Sequence, residues 1–116
     1  MIKVVAAFRR NPELSMEEFS RYYFEHHAAL FRRATPPEVM AGIPHYVQNH
    51  AVALGSGSAS PFDCVTEIGF DDLDALRRWN AWYFGPDGQV LHDDEDHFMD
   101  KASRVIVVTD ERVPPH

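Results

Sequence analysis

The first apolar stretch, Ile2 to Phe8 (IKVVAAF), is short and rich in β-branched residues, and it stops at Arg9-Arg10-Asn11-Pro12, the pattern of a strand followed by a breaker. Ser15-Met16-Glu17-Glu18 comes next. There the Ser15 hydroxyl can accept from the Glu18 amide while the Glu18 carboxylate reaches back, so a helix starts at this point. Met16, Phe19, Tyr23, His27 and Leu30 then recur at helical spacing and occupy one narrow arc. His27 falls on the core stripe and His26 about 100° away at its edge, so the adjacent histidines are expected in different environments.

Beyond Pro36-Pro37, Gly42 to Leu54 reads as a long strand with Tyr46, Gln48 and His50 on one face and His45, Val47 and Asn49 on the other. Gly55 to Ser60 (GSGSAS) is a loop that joins it to a third strand, Phe62 to Phe70. In that strand Phe62, Cys64, Thr66, Ile68 and Phe70 alternate with Asp63, Val65, Glu67 and Gly69. Asp71-Asp72 caps a second helix whose Leu73, Leu76, Asn80 and Tyr83 share one side, with Trp79 adjoining, until Gly85-Pro86-Asp87-Gly88 interrupts it. A short helix then carries Val90, Leu91, Asp94 and Phe98 inward, and Arg104 to Thr109 (RVIVVT) forms the last strand.

Strand, helix, strand, strand, helix, strand is an α+β order, the ferredoxin-like βαββαβ pattern: one antiparallel four-stranded sheet with its helices on one face. Several strands are apolar on both sides, so the bare face is expected to be buried against a second copy, making a homodimer.

Composition narrows the function classes. A chain of 116 residues is one domain, residues 1–116, and 45% hydrophobic with 25% charged residues is the balance of a globular protein. Eleven basic against eighteen acidic residues give a net charge of −7, and the paired basics are scattered, so nucleic acid is not expected as a partner. No apolar run is long enough to span a bilayer, no secretory leader is recognised, and one cysteine, Cys64, fits a reducing compartment; a cytoplasmic protein with no membrane partner is expected.

Seven histidines remain to be placed. An imidazole on a buried stripe needs a partner, because an unpaired buried polar group costs about 1 to 3 kcal/mol. For His27 the strand side chains on offer are Tyr46, His50, and Glu67 or Asp63. His27 is then either a core histidine bonded to a single neighbour or the base of a polar cavity. Tyr46 and His50, about 13 Å apart along their strand, either face solvent or contact one extended ligand with Gln48 between them. Glu67 either sits beside His27, raising its pKa and orienting the ring, or makes a surface or interface ion pair. Trp79, Trp82, Tyr83 and Phe84 are core, part of which can wall an aromatic-ligand pocket. Cys64 is packing. In His92 to His97 (HDDEDH) the two histidines point to different helix faces, which favours a solvated acidic face with Asp94 turned inward over a metal site.

Taken together, IKVVAAFRRNPELSMEEFSRYYFEHHAALF, PHYVQNH, FDCVTEIGFDDLDAL, DEDHFMD and RVIVVTDE resemble the EthD family of the dimeric α+β barrel superfamily across nearly the whole chain. Tyr23 and His27-Ala28-Ala29-Leu30 stand where the family has an aromatic residue and His-Gly-Pro-Leu, without the Gly-Pro pair; Tyr46, Gln48, Asn49 and His50 match its Tyr-x-Gln-Asn-His intact. The resemblance implies a dimeric α+β barrel and a cofactor-free cavity acting on a small aromatic or polyketide-like molecule by dehydration, isomerisation or cyclisation. On that reading His27 is the base, Tyr46 and His50 polarise or protonate an oxygen, and Glu67 orients a histidine. Tyr23, Gln48, Asn49, Trp79 and Tyr83 bind the substrate. A cofactor-free monooxygenase, an accessory to an oxygenase, and a non-catalytic binding dimer are the alternatives.

Overall fold

The computed structural model describes residues 1–55 and 59–116. The expected capping box is present: Ser15 Oγ accepts from the Glu18 amide at 3.0 Å, and Glu18 Oε1 from the Ser15 amide at 2.9 Å. From it a single helical run passes through α1 (Met16–Arg21), a π-helical segment (Tyr22–His27) and α2 (Ala28–Ala34). The buried positions of this run are Phe19, Tyr23, His27 and Phe31, every fourth residue. A regular helix would have turned Leu30 inward, as the spacing predicts; the wider π turn carries the stripe one residue on, to Phe31. After the short α3 (Pro37–Met40), with proline in its first turn, come β2 (His45–His50) and β3 (Cys64–Phe70).

Both strands are shorter than expected, and the middle of the loop between them, residues 56–58, lies outside the described residues. Asp72 caps α4 (Leu73–Tyr83), accepting from the Ala75 amide at 2.8 Å. A 3₁₀ turn (Pro86–Gly88) leads into α5 (Gln89–Phe98), which runs without a loop into β4 (Met99–Asp110). The inward faces of both late helices are rotated from those predicted. In α4, Ala75, Leu76 and Trp79 are buried while Leu73 and Asn80 are exposed; in α5, Glu95 turns inward and Val90 outward. Both helices carry too few large apolar residues for their spacing alone to fix the buried side.

The strands β2 to β4 join β1 (Ile2–Arg10) in one sheet of order β2-β3-β1-β4, every neighbouring pair antiparallel. This is the expected ferredoxin-like arrangement. Register places Tyr46 beside Ile68 and Val4, and Gln48 beside Thr66 and Ala6. These residues face the helices, with Phe8, Cys64 and Phe70 fully buried below them. Alternation sends Lys3, Val5, Ala7, Val65 and Glu67 to the opposite, open face.

The core has two parts. Phe31, Trp79 and Leu91 anchor one, while Phe8, Phe19, Tyr23 and Phe98 form an aromatic cluster in the other. Phe98 closes the second, its ring centroid 4.7 Å from Tyr23 and 6.1 Å from Phe8. With Phe98 fully buried and packed on all sides, Phe98→Ala is expected to lower stability by about 3 to 5 kcal/mol in urea denaturation. A loss under 1 kcal/mol would contradict this packing.

Candidate functional site

The π turn and α5 together build the polar centre of the protein. Burial would leave an α5 carboxylate in a poor solvent, so Asp94 must be paired, and three side chains of the π segment meet it. The Tyr22 hydroxyl donates to Asp94 Oδ1, His27 Nδ1 lies 2.8 Å from Oδ2, and His26 Nε2 stands 3.5 Å from Oδ1. Tyr22 stacks on His26 with centroids 4.6 Å apart, and Tyr23 on His27 at 5.5 Å. The two histidines do differ in exposure, His26 being open and His27 7% exposed, yet they converge on one carboxylate. The expectation that they belong to separate environments is corrected on that point, because a π turn brings neighbouring side chains closer in angle than an α turn does.

A carboxylate only accepts, so Nδ1 of His27 carries the proton and Nε2 is the basic nitrogen of the neutral ring. Nε2 makes no hydrogen bond among the described residues, and since none of them buries an unpartnered side-chain nitrogen or oxygen, Nε2 keeps accessible surface; His27 itself lines a cavity. Burial lowers the His27 pKa from its ordinary 6.5, against Asp94 and Glu95, which raise it, and with His26, which lowers it. The ring is thus neutral at neutral pH.

That cavity, about 100 Å³ and partly open, lies between the sheet and the helices. Phe8, Phe31, Ile68, Leu91 and Phe98 supply apolar wall, and Tyr23, Trp79 and Tyr83 also line it. Tyr23 donates to or accepts from Thr66 Oγ1 at 2.6 Å beneath it. Tyr46 reaches the cavity from β2, where its hydroxyl accepts from Gln48 Nε2 at 2.7 Å and keeps its own proton, with the Tyr23 hydroxyl beside it. Burial raises the Tyr46 pKa, which keeps that proton in place.

Gln48 and His50 act behind Tyr46. Gln48 Oε1 lies 2.9 Å from His50 Nε2, and Gln48 Nε2 also donates to the Tyr23 carbonyl at 3.2 Å. Since Oε1 can only accept, His50 is protonated on Nε2, and Nδ1 accepts from Ser20 Oγ at 3.0 Å. The ladder Ser20, His50, Gln48, Tyr46 thus sets the tyrosine's orientation. Both His50 nitrogens are spent on protein partners, and His50 is not among the cavity's lining residues. The expected direct contact of His50 with a ligand oxygen becomes a supporting role.

Glu67 and Asn49 are not at this site. Strand alternation puts both on the open face, where Glu67 pairs with Lys3 at 2.7 Å, with Asn49 Nδ2 at 3.0 Å and with His45 Nε2 at 3.3 Å. The Lys3 contact is the main reason the Glu67 pKa is held below its ordinary value. Glu67 therefore does not orient His27; Asp94 does. The strand pattern, apolar on both faces, does not tell which face meets the helices. Asp63 is also elsewhere, tied to Arg10 through its amide at 2.8 Å and its guanidinium at 2.9 Å. Cys64 is buried, which pushes its thiol up to about 11 and leaves it packing.

Sequence reasoning missed Tyr22, Glu95 and Arg104. Glu95 is 4% exposed and lines the cavity together with Arg104. The signal for Glu95 was present: Leu91, Asp94, Glu95 and Phe98 share one stripe at helical spacing, within a segment whose acidity alone suggested solvent.

A model of the EthD domain matches residues 11–102. Among solved structures, an EthD family protein from Bacillus halodurans is 23% identical, with 97% of this chain and 99% of that one covered and a TM-score of 0.66. A dimeric ferredoxin-like protein from Thermobifida fusca is 19% identical over 93% and 88%, with a TM-score of 0.59. A hydroxynitrile lyase from Passiflora edulis is 11% identical over 97% and 96%, with a TM-score of 0.61. No curated protein matches the chain. The solved structures share its fold, and the domain model spans the histidine helix, the Tyr-x-Gln-Asn-His strand and both buried acids of α5: the chain belongs to the EthD family.

Proposed function

We propose that this chain is an enzyme that moves protons on a small aromatic or polyketide-like molecule using its own side chains, by dehydration, isomerisation or cyclisation. The observation that carries this reading is the Asp94–His27 pair on the wall of a largely apolar cavity, with His27 Nε2 free of hydrogen bonds among the described residues. Asp94 fixes the tautomer and steadies the imidazolium that forms when Nε2 takes a proton. Tyr46 supplies a proton or a hydrogen bond to an oxygen, and Trp79 and Tyr23 wall the ligand. A lyase among the proteins of this fold is consistent with such chemistry, although likeness at 11% identity speaks only to architecture.

The test is turnover across phenolic and polyketide-like compounds by the wild type and by His27→Ala. A loss of about 10²- to 10⁴-fold is expected. Unchanged turnover of an identified substrate by the variant would falsify the assignment of His27 as base.

The titration of His27 gives a check independent of any substrate. With burial as the leading cause, its NMR midpoint is expected below 6.5, and Asp94→Asn, which removes a group that raises it, is expected to move it lower still. A base must be deprotonated, so kcat/KM rises with pH through that midpoint and is level above it. A midpoint above 6.5 would mean that the carboxylates outweigh burial.

The active form is proposed to be a homodimer. On the open side of the sheet Val5, Ala7 and Val65 are only half-buried, and the outer strand exposes Val105, Ile106, Val107 and Val108 in succession, each 51–55% accessible. The similar structure from Thermobifida fusca is dimeric. Light scattering is expected to return twice the chain's 13.3 kDa, and Val107→Lys to shift the mass toward that of one chain. A monomer at micromolar concentration overturns this arrangement.

A further inference from the structure

The second buried carboxylate of α5 organises a second polar group on the same cavity. Glu95 Oε2 accepts the Tyr83 hydroxyl at 2.5 Å, and Oε1 accepts Arg104 Nη1 at 3.1 Å; all three residues line the cavity with His27. His92 stacks on Tyr83 at 4.0 Å and places Nδ1 3.9 Å from Glu95 Oε1. The Tyr83 proton is committed to Glu95 and is not offered to a ligand. Arg104 is different. A guanidinium has five N–H groups; that of Arg104 is held by Glu95 with the Tyr83 oxygen also beside it, which leaves N–H groups over, and none of the described residues buries an unpartnered side-chain nitrogen.

Local backbone geometry aims this residue. The β1–β4 register passes from Ala7 beside Val105 to Arg9 beside Asp100, so residues 101–104 form an extended bulge that ends at Arg104. Bulges beside a site commonly serve to redirect a side chain. The Ser103 hydroxyl pins the bulge, donating to the Asp100 carbonyl at 2.6 Å and accepting the Arg9 amide at 2.8 Å. Charge completes the argument. Glu95 neutralises Arg104, and the other buried acid, Asp94, is already balanced by hydrogen-bond donors. The wall therefore offers strong N–H donors with little net positive charge, which suits a neutral oxygen acceptor better than an anion.

We propose that Arg104, positioned by Glu95 and Tyr83, binds the oxygen of a neutral carbonyl compound, and that the substrate class is a small, largely apolar carbonyl compound with an acidic C–H beside the carbonyl. This rests on the reading of His27 as the base. His27 Nε2 takes the proton from the carbon next to the carbonyl. The C–H electron pair becomes the new C=C bond, and the carbonyl π pair moves onto oxygen, where the Arg104 N–H groups meet the charge. Return of the proton from the imidazolium, to that carbon or to a conjugated one, closes the cycle with no oxidant or reductant consumed. Arg104 is then a catalytic residue, and Glu95 and Tyr83 are positioning residues.

The probe is acetophenone labelled with ¹³C at the carbonyl. Two readouts are taken in D₂O: the carbonyl ¹³C shift of the bound ketone and the exchange of its methyl protons for deuterium. Wild type is expected to move the carbonyl resonance downfield and to exchange the methyl protons above the buffer rate. His27→Ala should abolish exchange yet keep the carbonyl displacement. Arg104→Met should lose the displacement and slow exchange by about 10²-fold. Arg104→Met/Glu95→Gln, which removes both charges and so avoids stranding a buried carboxylate, should do the same.

If the double variant folds and keeps both the displacement and the exchange rate while His27→Ala loses exchange, the Arg104 assignment falls and the base assignment stands. If His27→Ala still exchanges while the Arg104 variants lose the displacement, the base assignment falls and Arg104 remains the oxygen site. Neither displacement nor exchange in wild type overturns the carbonyl class.

Discussion

Asp94 is the group on which the rest of the site depends. A carboxylate 7% exposed cannot remain charged without donors, and the donors it finds all come from six residues of one helical run. An α turn would spread Tyr22, His26 and His27 more widely around the axis; the π turn draws them together and moves the buried stripe from Leu30 to Phe31. The distortion of the helix and the burial of the acid therefore support each other. The helix gives up regular hydrogen bonding over Tyr22–His27, and the return is a neutral imidazole with a fixed tautomer and one nitrogen free. The same carboxylate links α5 to the helical run above it, so the His27–Asp94 pair is also a tertiary contact between two elements that pack over the sheet.

Much of the fold was legible because each signal was local. The Ser15–Glu18 box, the Asp72 cap, the β-branched first and last strands and the order of elements depend on neighbours a few residues away. Half of the site was legible for the same reason: a histidine on an apolar stripe has to have a partner, and Tyr46, Gln48 and His50 alternate onto one face. The failures needed information that local pattern does not carry. Glu67 could not be assigned to a face because β3 has apolar groups on both sides, and only its pairing with β1 and β2 decides which side the helices cover; Asn49 lies, as its alternation on β2 predicts, on the face opposite Tyr46, and only the family motif had made it a ligand contact. The π turn has no sequence period of its own in so short a run. Glu95 looked like part of a solvated acidic face, and its burial became intelligible only with Tyr83 and Arg104 beside it.

The strand ladder shows a second use of polarity in the core. From Ser20 through His50 and Gln48 to Tyr46, each hydrogen bond fixes the donor sense of the next, so Tyr46 accepts from Gln48 and keeps its own proton, with the Tyr23 hydroxyl beside it. Burial lowers the His50 pKa, which keeps that ring neutral and the ladder in one sense. Histidine at this position works as a directional spacer, which explains how a residue matched to the family motif can lie off the cavity and still matter to it.

Two consecutive acids on α5, separated by about 100° around the helix, each hold a different partner. Asp94 holds His27 and Glu95 holds Arg104, and apolar and aromatic rings line the same cavity. Removing one charged partner would leave the other buried and unpaired, the costly outcome, whereas removing both members of a pair leaves a neutral pocket. Neither acid shares a hydrogen-bonding partner with the other, yet the two groups remain coupled by charge, since Glu95 also raises the His27 pKa. A fold this small can carry two such centres because α5 passes straight into β4: Phe98 and Met99 anchor the junction in the core, and both acids and Arg104 are held within a few residues of it.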